Sequence, residues 1–303
     1  MRVKKNVFYL MASLFISYLL LGGCATTPAP SQPEEKIARS TTPATSPTPE
    51  KKAKTIVERI PRVIKESILF PDGTVDEYTI YSYTTDGKLL LKEELFDAAS
   101  KDLLEYSEYQ YQQEQLVEKR TFDGNKKLKF RRTYTYSNNL LIEESQFNPD
   151  NVLQTRSVYS YDFQNRRIDW KTFDASGSLI GATRYTYTGN SKEPTEIELL
   201  NPSGTVDLKI MVNFLEGKKS REVFTTTEGK LEKEVMYRYD EQGRLLGETV
   251  FSPTRVKQSS IAYEYPADAF VPLRIVQLDG RDRPKKILVR EYAFREESRV
   301  VYE

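Results

Sequence analysis

The chain has 303 residues, with 45 basic side chains against 44 acidic ones and no histidine. That balance argues against a binder of nucleic acid or of acidic substrates, and the missing histidine removes the commonest general base near neutral pH and the commonest transition-metal ligand. The single cysteine excludes an internal disulfide and any multi-cysteine zinc or iron–sulfur site.

In chain order, the first element is apolar. Arg2, Lys4 and Lys5 precede an uncharged run from Val7 to Leu21, too short for a comfortable spanning anchor. The run ends in Leu21-Gly22-Gly23-Cys24. This resembles the lipobox of bacterial lipoproteins, with the chain's one cysteine at the place the pattern requires. The resemblance implies removal of residues 1–23, diacylglycerol on the Cys24 sulfur and a further acyl chain on the new amino group. Each buried methylene contributes about 0.8 kcal/mol, so two or three chains hold where one does not. Ala25, rather than Asp, follows the cysteine, which in that family's sorting pattern implies the outer membrane.

Residues 24–54 are rich in Pro, Thr, Ser and Ala, without apolar periodicity. Such a segment buries too little to offset its ordering entropy and is expected to be a disordered tether. About 30 residues span on the order of 90 Å as polyproline helix and roughly 30 Å as coil.

From residue 55 to 303 the sequence repeats with a period of about 26. One landmark is Phe70, Phe96, Phe122, Phe147, Phe173, Leu200, Phe251 and Leu278. The other is a Tyr-x-Tyr pair, as in Tyr81/Tyr83, Tyr109/Tyr111, Tyr134/Tyr136, Tyr159/Tyr161, Tyr185/Tyr187, Tyr237/Tyr239 and Tyr263/Tyr265. Alternation within residues 128–136, turn residues at Asn138-Asn139 and a second alternating run at 140–147 read as a hairpin. Asp72-Gly73, Asp86-Gly87, Asp123-Gly124 and Asp279-Gly280 read as tight turns with positive φ at both central residues. Short turns force antiparallel neighbours. The expected fold is all-β: about nine hairpins, or some 18 strands, in one long meander. Its aromatic face is hidden by curling into a spiral sheet. The alternative is an open single-layer sheet, as in some spirochaete surface lipoproteins. Pro61 and the Glu/Arg-rich end are expected to guard the two edges.

Tyr237-Arg238-Tyr239-Asp240-Glu241-Gln242-Gly243-Arg244-Leu245 resembles the unit of YD-repeat (RHS-type) proteins, and Tyr159-Ser160-Tyr161-Asp162 is a second, weaker match. The resemblance implies spiral β-sheets, in that family sometimes closed into a shell around a toxin. Only these two units keep the Tyr-Asp, and the period is longer than the family's. MORN-type repeats are a looser relative, for which 14 glycines are too few.

Little chemistry is legible. The paired carboxylates Glu93/Glu94 and Glu143/Glu144 are adjacent on strands and should point to opposite faces. The basic run 281–286 reads as a turn, and no phosphate loop, nucleophile elbow or metal-spaced acidic loop occurs. The aromatic stripe Tyr134, Tyr136, Tyr159, Tyr161, Trp170, Tyr185, Tyr187, Tyr237 and Tyr239 suits a pleated core and equally a binding platform. The expectation is a non-enzymatic, lipid-anchored envelope module without cofactor. It would meet the membrane through its N-terminal lipid and an envelope protein or glycan as partner, and no nucleic acid. A cell-wall or glycan hydrolase and a shell around a partner polypeptide are the rivals.

Overall fold

The computed structural model describes residues 53–302 except 268. The lipobox Leu21, Gly22, Gly23 and Cys24, and the tether up to residue 52, lie outside the described residues.

Among the described residues there are eighteen strands and no helix. The first nine are β1 (Ala53–Leu69), β2 (Val75–Tyr83), β3 (Leu90–Asp97), β4 (Leu103–Gln112), β5 (Gln115–Asp123), β6 (Leu128–Ser137), β7 (Leu140–Phe147), β8 (Leu153–Tyr161) and β9 (Arg167–Asp174). The second nine are β10 (Leu179–Thr186), β11 (Glu196–Leu200), β12 (Val206–Leu215), β13 (Lys218–Thr226), β14 (Leu231–Tyr239), β15 (Leu245–Phe251), β16 (Lys257–Glu264), β17 (Arg274–Asp279) and β18 (Pro284–Tyr302). Each pairs antiparallel with the next.

Both sheet forms expected from the sequence, the curled spiral and the open single layer, are corrected: the sheet closes. β1 pairs with β2 through Lys65–Leu69 and with β18 along almost its whole length, so the meander is an eighteen-stranded antiparallel barrel. Closure removes the two exposed edges that an open meander would leave to aggregate. Pro61 and the charged C-terminal stretch do not guard separate edges either: Pro61 stands opposite Phe294, and Arg299 pairs with Glu58 at 2.5 Å. Beyond the barrel, residues 53–60 and 295–302 continue as a two-stranded ribbon projecting from one rim. That rim is called here the entry rim and the opposite one the far rim.

Eight of the nine turns on the far rim have one geometry, and the ninth, at 97–102, is one residue longer. The N–H of the first residue donates to the carbonyl four positions on, and the N–H three positions on returns to its carbonyl, as with Asp174 N–H to Ser178 O at 2.9 Å and Gly177 N–H to Asp174 O at 3.1 Å. The residue donating that return bond sits at positive φ, whether Gly177 (83°), Lys126 (65°) or Asp282 (63°). This is a type I turn followed by a one-residue bulge. It corrects the reading of the four Asp-Gly pairs as two-residue turns: Asp72-Gly73 lies inside the 70–74 turn and Asp86-Gly87 inside a turn at 84–89, with only the glycine of each at positive φ. Asp123 and Asp279 open four-residue turns, and Gly124 and Gly280 are glycine because a Cβ there would lie 1.9 Å from Leu103 O and 2.5 Å from Lys257 O. Two-residue turns occur on the entry rim, at Gln113-Glu114, Asn138-Asn139 and Glu216-Gly217.

The bulges also correct which residues share a face. Directly opposed residues point the same way. Tyr106 opposes and stacks on Phe122 at 4.7 Å, while Tyr109 opposes Lys119 on the other face. The extra residue at each far-rim bulge shifts the phase by one, so the Tyr-x-Tyr and Phe landmarks occupy opposite faces rather than one. Few side chains form a core: among the described residues Ile210, Val212, Phe224 and Val235 make the single buried cluster. Barrels of sixteen to eighteen strands enclose an aqueous channel because side chains cannot meet across them.

Candidate functional site: the tyrosine face of the barrel wall

The Tyr-x-Tyr residues face the lumen. Burial pushes Tyr134 up to about 12, raises Tyr185, Tyr263 and Glu248, and lowers Lys233, all on this face. Such crowding belongs to the concave side of a closed sheet, where side chains converge. The opposite face leaves Met211 41%, Met236 49% and Ile80 37% exposed.

Two hydroxyl ladders explain the tyrosine spacing. The first tyrosine of a pair donates to a glutamate 15 residues earlier: Tyr159 to Glu144 at 3.2 Å, Tyr237 to Glu222 at 2.8 Å and Tyr263 to Glu248 at 2.7 Å. The second donates to a backbone carbonyl 20 residues earlier: Tyr83 to Val63, Tyr161 to Leu141, Tyr187 to Arg167 and Tyr265 to Leu245, at 2.7–2.9 Å. A buried hydroxyl needs such a partner, and these bonds tie strands together where there is little core to do so. Tyr185, raised by burial, also hydrogen-bonds with Arg167.

Charges on the wall are largely paired. Arg290 meets Glu66 at 2.8 Å, Lys119 meets Glu93 at 2.7 Å, Arg132 meets Glu144 at 3.3 Å and Lys219 meets Glu222 at 2.9 Å. Cations also cover ring faces: Arg167 over Tyr159 at 4.7 Å, Lys219 over Tyr237 at 5.3 Å and Lys218 over Tyr239 at 5.6 Å. Trp170 lies on the same wall and stacks on Tyr159 at 6.0 Å. The nine residues of the sequence-predicted stripe thus share one face, spread around the wall from β6 to β14 rather than gathered in a pocket. A recess of about 180 Å³ beside Thr79, Glu93 and Ser107 is smaller than an ordinary ligand cavity.

The adjacent carboxylates diverge. Glu93 pairs with Lys119 inside and Glu94 with Lys92 outside; Glu144 pairs with Arg132 inside and Glu143 with Arg156 outside. Outside, Arg131–Glu118 (2.9 Å), Lys171–Asp169 (2.6 Å), Arg184–Glu198 (3.0 Å), Lys209–Glu196 (2.9 Å), Arg274–Glu264 (2.8 Å) and Lys65–Glu291 (2.8 Å) carry ion pairs round the whole circumference.

Sequence reading missed two long loops on the entry rim, at 187–195 and 265–273. Both lean on the Asp-x-x-x-Arg turns that follow the Tyr-Asp pairs. Arg166 Nε donates to Asp162 at 2.7 Å, while its Nη1 donates to Gly189 O at 2.8 Å and Ser191 O at 3.0 Å. Arg244 binds Asp240 at 2.7 Å and reaches Pro266 O, Ala267 O and Ala269 O. A guanidinium's fixed fan of donors suits several carbonyls at once. The signal was present in the retained Tyr-Asp and Arg of these two units.

Fold and lining together define a wide antiparallel barrel with a polar, aromatic lumen. No family model matches the chain, and no curated protein matches it. Among solved structures it is similar to a porin-like protein from Bacteroides uniformis (8% identity, TM-score 0.39, 80% of this chain and 96% of that one). It is also similar to a porin-like protein from Bacteroides vulgatus (13% identity, TM-score 0.31, 76% and 98%). A third likeness, to TcdB2-TccC3 without its hypervariable C-terminal region, has 11% identity and a TM-score of 0.26 over 71% of this chain and 15% of that one.

Proposed function

We propose that the protein is a non-enzymatic envelope component: a lipid-anchored barrel that stands in water and uses its lumen as a binding compartment. The observation that carries this reading is the ring of ion pairs on the outer face. A barrel that spans a bilayer presents an apolar band about 25 Å tall to lipid, and each outward Lys or Arg at its midplane costs about 2–4 kcal/mol. Here the ion pairs recur from Lys65–Glu291 through Arg184–Glu198 to Arg274–Glu264, on strands all around the barrel. The inner face is charged as well, so turning the sheet inside out does not supply the band. The Cys24 lipid would then be the membrane attachment, and residues 25–52 the reach between it and the barrel.

The test is fractionation of the wild type and Cys24→Ser, with a palmitate analogue as label. Expected are labelled wild type in membranes and unlabelled Cys24→Ser released without detergent. A Cys24→Ser chain given a cleavable secretory signal in place of residues 1–23 that still stays in carbonate-washed membranes would mean that the strands themselves cross the bilayer.

A further inference from the structure

Glu248 departs from the pattern of its neighbours on the inner wall. Glu66, Glu93, Glu144 and Glu222 each have a Lys or Arg within 3.3 Å. Glu248 accepts only the Tyr263 hydroxyl at 2.7 Å, and no lysine or arginine among the described residues forms an ion pair with it. Lys219 is near enough to be felt, but its ammonium is committed to Glu222. Burial raises the Glu248 carboxyl, and the charge of Glu222 adds to the effect.

The surroundings of this carboxylate are aromatic. Tyr237 stands directly opposite it on β14, Tyr239 lies two residues further along that strand on the same face, and Tyr263 reaches it from β16. The charge of Glu248 is felt by all three phenols. Lys219 and Lys218 lie over the rings of Tyr237 and Tyr239, whereas no described cation lies over Tyr263. A half-buried carboxylate short of a counter-charge, beside a ring over which no described cation lies, is the chemistry that recognises organic ammonium groups: Coulombic attraction on one side and ring quadrupole on the other.

We propose that Glu248 and Tyr263 form a seat on the lumen wall for an organic ammonium ligand, bound as the missing counter-ion. This deepens the lumen-binding reading and rests on it, but it is independent of the Cys24 anchor. The probe is tetramethylammonium, followed by ligand-observed saturation-transfer NMR on the full chain in non-ionic detergent, with sodium as competitor. Wild type is expected to bind the probe with little competition from sodium. Glu248→Gln, which keeps the shape and can still accept the Tyr263 hydroxyl, should weaken binding at least tenfold. Tyr263→Leu should weaken it several-fold, and Glu94→Gln on the outer face should leave it unchanged. Absence of binding in wild type overturns the proposal, as does equal binding in Glu248→Gln. If binding survives in Glu248→Gln but is lost when the lumen is plugged, the lumen still binds and only this seat is wrong.

Discussion

On the far rim, eight of nine turns repeat a single four-residue geometry and the ninth, at 97–102, is one residue longer, each with one residue at positive φ. On the entry rim no such uniformity holds. Three two-residue turns, a longer turn at 84–89, two turns of the far-rim geometry at 162–166 and 240–244, the two long loops that Arg166 and Arg244 of those turns brace, and the β1–β18 ribbon share the ring. The hairpin is the same; only the side on which it is closed differs. A far-rim turn joins the two strands that bracket each repeat boundary. It must return the chain in register every time, so its bulge is kept. Entry-rim turns are free to lengthen, because the Tyr hydroxyl latches hold the strands just inside them. In repeat proteins, variable loops gathered on one side commonly mark the side that meets partners.

The largest expected effect tests the braces. Arg244→Ala removes an ion pair with Asp240 and leaves three loop carbonyls without their donor, so it should cost roughly 2–3 kcal/mol in urea unfolding. Arg281→Ala, exposed on the far rim, should change stability by less than about 0.5 kcal/mol. Equal effects would erase the contrast between the rims. Next is Gly177→Ala on the far rim, where φ is 83°. Left-handed strain outweighs the entropy gained by adding a Cβ, for a net loss of about 1 kcal/mol. The same change at Gly124, which is not at positive φ, should fail differently, by displacing the Leu103 carbonyl and loosening the hairpin.

The smallest effect concerns the caps. Backbone N–H groups of Arg283 and Arg281, with the Arg283 side chain, hold Asp279 down at about 2, below its usual 3.8. Because the folded value is the lower one, this group adds stability above the ordinary carboxylate range and loses it as pH falls from about 4 toward 2. Asp279→Asn keeps an acceptor for the turn and should flatten that part of the pH profile of the urea midpoint. An unchanged profile would mean the cap contributes nothing measurable.

Much of this was legible without coordinates. The period-two alternation, the turn residues and the two landmarks define antiparallel hairpins in tandem, because side-chain direction in a strand and turn geometry are local properties. The opposite orientation of Glu93 and Glu94 followed from the same alternation. The face assignment did not. A single bulge residue such as Lys129, between the pairs Phe122–Leu128 and Thr121–Phe130, shifts the phase, and nothing in the composition of its segment announces it. The partners of the tyrosines were also hidden, because hydroxyls 15 and 20 residues from their acceptors meet them only once the strands are in register.

By itself, then, the sequence determined the strand, the turn and their repetition, all set by interactions among residues close along the chain. Only the tertiary structure decided that the sheet closes and which face lies inside. Closure depends on Glu66 meeting Arg290, 224 residues away, and on twist accumulated over seventeen hairpin connections in between. No local pattern encodes a contact of that separation. The lumen, with Glu248 left without a counter-charge on its wall, exists only because that contact is made.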